Sequence, residues 1–153
     1  MKKAVEAKVV NPLLGTRIPL PRYSTTGAAG MDLRACIDKP VSIAPGETRI
    51  LPSGFAISIH DPGLMAILAP RSGLGIKYGI VLANMIGVID SDYHGEIQIG
   101  LWNRSKEYFI VEPGDRICQM MFVPVLQVEM TVVNEFRNSS TRGSGGLGHT
   151  GKD

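Results

Sequence analysis

Cysteine is scarce in this chain: only Cys36 and Cys118 occur, far apart and without the CxxC or CxxCH spacing of redox or haem-attachment motifs. They read as reduced, buried thiols. Aromatic residues are also few, four Phe, four Tyr and one Trp, and no run of like charges occurs. With 16 Lys plus Arg against 14 Asp plus Glu, the formal charge is only +2. That field does not favour nonspecific binding to nucleic acid, but it leaves room for a compact anion held by a few placed arginines. No segment approaches the apolar length of a membrane span, and charged residues interrupt the N-terminal stretch where a signal-peptide core would lie. The expectation is a cytoplasmic protein that engages neither nucleic acid nor membrane. His60, His94 and His149 have no metal-site spacing, which argues against zinc. A G-x-S-x-G nucleophile elbow is missing as well.

What is abundant is glycine, 18 of 153 residues, or about 12% against about 7% in ordinary proteins, with 10 prolines besides. A chain of this length suits one domain that buries roughly 68–70% of its unfolded surface. So many turn-forming residues favour short strands over long helices. Between Lys3 and Val10, Val5, Ala7 and Val9 alternate with Glu6 and Lys8, the period of a half-buried strand. Further strands are expected at Val41–Ile43, Thr48–Leu51, Phe55–His60, Leu64–Ala69, Gly95–Trp102, Tyr108–Val111 and Arg116–Val133. Pro-Gly pairs and Pro52 with Gly54 separate them, and Pro124 is expected to split the last run or to sit at an edge. The pattern is all-β, a sandwich or barrel, with one short helical turn near Ser72 and Gly73. Residues 1–137 form the β domain. Residues 138–153, whose only large apolar side chain is Leu147, form a mobile arm unless something organises them.

Several stretches can carry chemistry. Pro70-Arg71-Ser72-Gly73-Leu74-Gly75 follows an apolar strand and leads into the helical turn. Backbone N–H groups, a hydroxyl and a guanidinium there suit phosphate oxygens, although a strand-end turn with a solvated arginine reads the same way. In Gly87–Gly95, Asp90, Asp92, Tyr93 and His94 precede an alternating strand. Its start imitates a calcium-binding EF-hand loop, but Leu101 stands where a bidentate Glu is needed. What survives is a carboxylate at a sheet rim, able to polarise water. Near the C-terminus, glycines interspersed with Arg142, His149 and Thr150 let amides converge on an anion. The GxxxxGK pattern at Gly146–Lys152 is a decoy, because Asp153 replaces the required Ser or Thr. Asp32, in Ala28–Ala35, interrupts an apolar segment as a turn carboxylate or an outer-sphere magnesium partner.

Taken in order, AAGMDLRA (28–35), PRSGLG (70–75), GVIDSDYHGEIQIGLWN (87–103), RICQM (116–120) and RGSGGLGHTG (142–151) resemble the five motifs of the trimeric dUTPase family. The likeness runs from about Val9 to Gly151. It implies a jelly-roll-like β fold of the β-clip type, with one short helix and a flexible C-terminal arm. It also implies a homotrimer with active sites shared between subunits, and a hydrolase that cleaves dUTP to dUMP and pyrophosphate with Mg2+. On this likeness Asp90 activates the water that attacks the α-phosphorus, and Tyr93 packs against deoxyribose. Asn84 and the backbone of Ile97, Gln98 and Ile99 read uracil. Arg71, Ser72, Gly73 and Gln119 contact phosphates, with Asp32 a water-mediated partner of magnesium. Arg142, Gly146, Leu147, His149 and Thr150 belong to the closing arm. Leu147 stands where the family usually has an aromatic ring that stacks on uracil. Two rival readings share the scaffold, a dCTP deaminase and a noncatalytic nucleotide-binding trimer.

Overall fold

The alternation in Glu96–Asn103 (β8) is the organising signal of the fold: Ile97, Ile99, Leu101 and Asn103 are buried, while Gln98 faces out. The computed structural model describes residues 3–146. Its other strands are β1 (Glu6–Val9), β2 (Met31–Arg34), β3 (Val41–Ile43), β4 (Thr48–Ser58), β5 (Leu64–Ala69), β6 (Ile80–Leu82), β7 (Gly87–Ile89), β9 (Phe109–Val111) and β10 (Arg116–Pro124). One helix, α1 (Ser72–Lys77), lies between β5 and β6. All named strand pairs are antiparallel. One sheet runs β1-β4-β8-β6, a second runs β2-β10-β5-β7, and β3 pairs with β9. Leu33, Leu68, Ile117 and Met120 of the second sheet share one apolar core with Ile57, Leu82, Ile97 and Leu101 of the first. This is a jelly-roll-like β-sandwich, as the sequence implies. Among the described residues, no helix is long and apolar enough to cross a membrane.

Three of the expected boundaries shift, each for a physical reason. Thr48–Leu51 and Phe55–His60 are not separate strands, because β4 passes through Pro52 and Gly54 on a bulge between Pro52 and Ala56. The Gly54 N–H displaced by that bulge donates to Glu96 Oε1 at 2.7 Å, which satisfies it without ending the strand. The last run ends at Pro124, and among the described residues no second strand follows it: Leu126, Val128, Met130 and Val132 are exposed, as are the residues between them. The apolar side of β1 is not buried within the protomer. Ala7 and Val9 line an open groove of about 720 Å³ with Tyr23, Phe55, Ile57 and Phe122. Strands β2, β6 and β7 come in addition to those expected. Each is three or four residues long, too short for its periodicity to stand out.

Among the described residues the buried polar side chains are Ser53 and Asn103, and the second is explained by β8. Asn103 Nδ2 donates to the carbonyls of Ile43 and Glu107, and its Oδ1 accepts from Ser105, so this amide ties β8 to the β3–β9 pair.

Two predictions concern stability. Gly54 has φ +69, and a Cβ there would lie 2.5 Å from Cys36 Sγ and 3.2 Å from Asn11 Cβ. Gly54→Ala is expected to lower unfolding free energy by about 3 kcal/mol in urea titrations. Burial pushes the Cys118 thiol up to about 12, with Asp32 adding to the rise and Arg71 opposing it. A thiol raised in the folded state keeps its stabilising effect below the ordinary value and loses it as pH climbs toward the folded one. Stability is therefore expected to fall from about pH 9 upward, and Cys118→Ala should flatten that slope.

Candidate active site

The residues of the first, second and fourth motifs meet on one edge of the second sheet. Asp32 on β2 and Gln119 on β10 are cross-strand partners. Arg71 follows the end of β5, which also pairs with β10. Asp32 Oδ1 accepts from Arg71 Nε at 2.9 Å, and Asp32 Oδ2 accepts from Arg116 Nη1 at 3.2 Å. Arg71 Nη1 donates to the Arg116 carbonyl at 3.0 Å, so two of its three nitrogens are fixed and Nη2 is left for a ligand. Gln119 Nε2 donates to the Pro70 carbonyl at 3.0 Å, which holds the approach to Arg71 and leaves the amide oxygen free.

Helix α1 begins directly after Arg71, whose carbonyl accepts from the N–H groups of Leu74 and Gly75. The N–H groups of Ser72 and Gly73 have no such acceptor, and both residues are exposed. An oxygen-rich anion placed before the turn meets two amides, a hydroxyl and a guanidinium. The first turn carries no acidic residue that would repel it.

The third motif builds a different surface. After β7 ends at Ile89, the chain turns tightly and Tyr93 N–H donates to the Asp90 carbonyl at 3.2 Å. Tyr93 Oη donates to the Glu96 carbonyl at 2.9 Å, which lays the ring over Gly95. A Cβ on Gly95 would sit 2.5 Å from that oxygen and 2.7 Å from Cζ, so the ring position demands glycine. Asp90 is exposed, and among the described residues its carboxylate has no hydrogen-bond partner.

Ile97 and Ile99 send their side chains into the core, so only their backbone can meet a ligand. β4 pairs along one side of β8, whereas β6 stops at Leu82 opposite Leu101, with a last bond from Ala83 N–H to the Gly100 carbonyl. The edge from Ile97 to Ile99 is thus open on the β6 side. Exposed Asn84 stands in the turn that follows, where Met85 takes φ 63. Exposed Gln98 is tied to Glu96 Oε2 at 2.9 Å.

The two surfaces do not meet within one protomer. β5 and β7 are antiparallel with Ala66 opposite Ile89 and Leu68 opposite Gly87. Asp90 therefore lies past one end of the pair and Arg71 past the other, roughly 20 Å apart along the strand at about 3.3 Å per residue. Among the described residues Arg142 bonds within its own turn, Nε to the Gly145 carbonyl at 2.8 Å, and no hydrogen bond joins it or Gly146 to either surface. Leu147, His149 and Thr150 lie outside the described residues. Arg116 was not singled out by sequence. Alternation along β10 alone would set it on the face of Cys118; the irregularity between Arg116 and Cys118 pairs it with Arg34 instead and brings it to the face of Asp32, which the sequence pattern does not reveal.

The dUTPase family model matches residues 16–151. A deoxyuridine 5'-triphosphate nucleotidohydrolase of Klebsiella pneumoniae is 53% identical over 152 residues, covering 99% of both chains. One of Psychromonas ingrahamii is 55% identical over 150 residues, covering 98% of this chain and 99% of its own. Among solved structures, the Staphylococcus bacteriophage 80alpha dUTPase with dUPNHPP superposes with TM-score 0.81 at 25% identity, covering 98% of this chain and 99% of that one. An antiparallel sandwich that carries the first four of five ordered motifs on these two surfaces, and that matches the family model over residues 16–151, belongs to the dUTPase family.

Proposed function

We propose that the chain hydrolyses dUTP to dUMP and pyrophosphate, with Asp90 directing a water at the α-phosphorus. The observation that carries this reading is the unpaired Asp90 carboxylate three residues before a tyrosine ring clamped over Gly95. A ring seated there packs against a deoxyribose face and leaves no space for a 2'-hydroxyl. The relatives at 53% and 55% identity are nucleotidohydrolases named for dUTP. The phage enzyme was solved with a dUTP analogue.

The chemistry asks for little covalent help from the protein. A triphosphate repels a nucleophile until its charge is neutralised, so positioning and electrostatics supply most of the rate. Arg71 Nη2, the Ser72 hydroxyl, the free N–H groups of Ser72 and Gly73, and the Gln119 amide offer the contacts for phosphate oxygens. The open backbone of Ile97–Ile99 and the Asn84 amide offer donors and acceptors to the base edge. Asp90 accepts a proton from water once the phosphorus is placed in line with it. Arg142, Gly146, Leu147, His149 and Thr150 close over the nucleotide and exclude bulk water.

Magnesium fits this donor set as a partner of the phosphates. Asp32 already has both oxygens on arginines, so its contact to the ion would run through water. Among the described residues no group of three or more His, Cys, Asp or Glu side chains forms a cage. A magnesium that keeps several waters and binds phosphate oxygens needs none. When bound, it neutralises phosphate charge.

The reading takes a homotrimer with shared sites. It is supported by the separation of Asp90 from Arg71, since a single nucleotide must reach both. It is supported also by apolar surface without a cover: the groove beside β1 and the outward row Leu126, Val128, Met130 and Val132. A cytoplasmic setting fits the two free, buried thiols.

Pyrophosphate release with a panel of deoxy- and ribonucleotides tests the reading, and it is expected with dUTP alone. Deamination of dCTP would favour the deaminase alternative instead. Asp90→Asn is expected to cut turnover by about 100-fold or more while nucleotide binding stays nearly intact. Gly95→Ala should displace the Tyr93 ring and narrow the preference for dUTP over UTP. Leu147→Phe restores a stacking ring worth about 1 kcal/mol; KM should fall more than twofold while the pH profile of turnover is unchanged.

A further inference from the structure

The turn that carries Asp90 and Tyr93 is held from outside by one residue that none of the five motifs contains. Residues 90–95 bond mainly to themselves and to Glu96. Among the described residues, the single hydrogen bond joining this turn to a segment beyond the flanking strands β7 and β8 runs from His60 N–H to the Ser91 carbonyl, at 3.3 Å. The His60 ring also stands against the His94 ring, with centroids 5.6 Å apart and planes tilted by 58°. Backbone and side chain of one residue thus grip the turn at two points.

His60 reaches both points because it adopts φ 56, a left-handed conformation uncommon outside glycine, immediately past the end of β4. Its side chain is fixed in turn. Nε2 is 2.7 Å from Ser58 Oγ and 3.2 Å from Glu6 Oε2, so β1 and β4 both orient the ring. A Ser58 hydroxyl that donates to Nε2, or an Nε2–H that donates to Glu6, serves equally to hold it.

We infer that His60 is a positioning residue for the catalytic turn, one that keeps Asp90 and Tyr93 in register through its contacts with Ser91 and His94. This rests on the hydrolase reading given above. A carboxylate that aims a water needs its backbone fixed to a fraction of an ångström, and Asp90 has no side-chain partner of its own to fix it. Glu6, Ser58 and His60 supply that constraint from the opposite sheet.

The test compares His60→Asn and His60→Gly, which both accept a left-handed backbone, with the wild-type enzyme. Both variants are expected to lose about tenfold in kcat for dUTP and to prefer dUTP over UTP less strongly, with the melting temperature little changed. Amide hydrogen exchange is expected to quicken across residues 91–95 and not elsewhere. Glu6→Gln, an exposed change, should move both readouts in the same direction by less, and it stands in if the His60 variants fold poorly. Unchanged exchange across 91–95 overturns the inference whatever happens to activity, as does unchanged kcat in a folded His60 variant. Wild-type protein inactive on dUTP would remove the hydrolase reading and with it the catalytic role; exchange would then report only on the anchoring of the turn.

Discussion

Asp32 sits between two arginines, and the proposed phosphate side of the site depends on that arrangement. Its carboxylate binds Arg71 Nε and Arg116 Nη1 on separate oxygens, from a half-buried place on β2. An arginine left alone in solvent samples many rotamers and surrenders that entropy on binding; one already fixed at two nitrogens gives up little. The third nitrogen then points a charge without searching for it. Gln119 does the same for the backbone by holding Pro70. The groups proposed to face phosphate are thus in place before any ligand arrives, which is the condition for catalysis by electrostatics.

Asp90, the proposed base, sits where it cannot use those groups alone. Strand pairing sets Asp90 past one end of β5–β7 and Arg71 past the other. The same protomer exposes an apolar groove beside β1 and a row of apolar side chains after Pro124. Surfaces of this kind call for a cover, and in the homotrimer proposed above a second copy of the chain would supply one while bringing the two half-sites together. Association and activity would then be one event.

Much of the fold was legible because β8 alternates cleanly, β10 is a long apolar run, and Pro-Gly pairs punctuate the chain. Less legible were β2, β6 and β7, since three or four residues give period-2 alternation too little length to show. β4 was divided in sequence because Pro52 and Gly54 normally end a strand; the Glu96 carboxylate, 42 residues away, keeps it whole. Residue types at the candidate site were legible through the five motifs. The ties among them were not: the Asp32 bridge to Arg116 and the grip of His60 on Ser91 are contacts between segments distant in sequence. Tyr93 over Gly95 lay between these cases, with spacing visible and the reason for glycine apparent only once the ring was placed.

On the proposed mechanism the attacking water meets the innermost phosphorus of dUTP. Hydrolysis of dUTP in isotopically labelled water, followed by mass spectrometry of both products, tests it most directly. The label is expected in the phosphate of dUMP and not in pyrophosphate. Label in pyrophosphate would place the attack on the β-phosphorus and contradict the account.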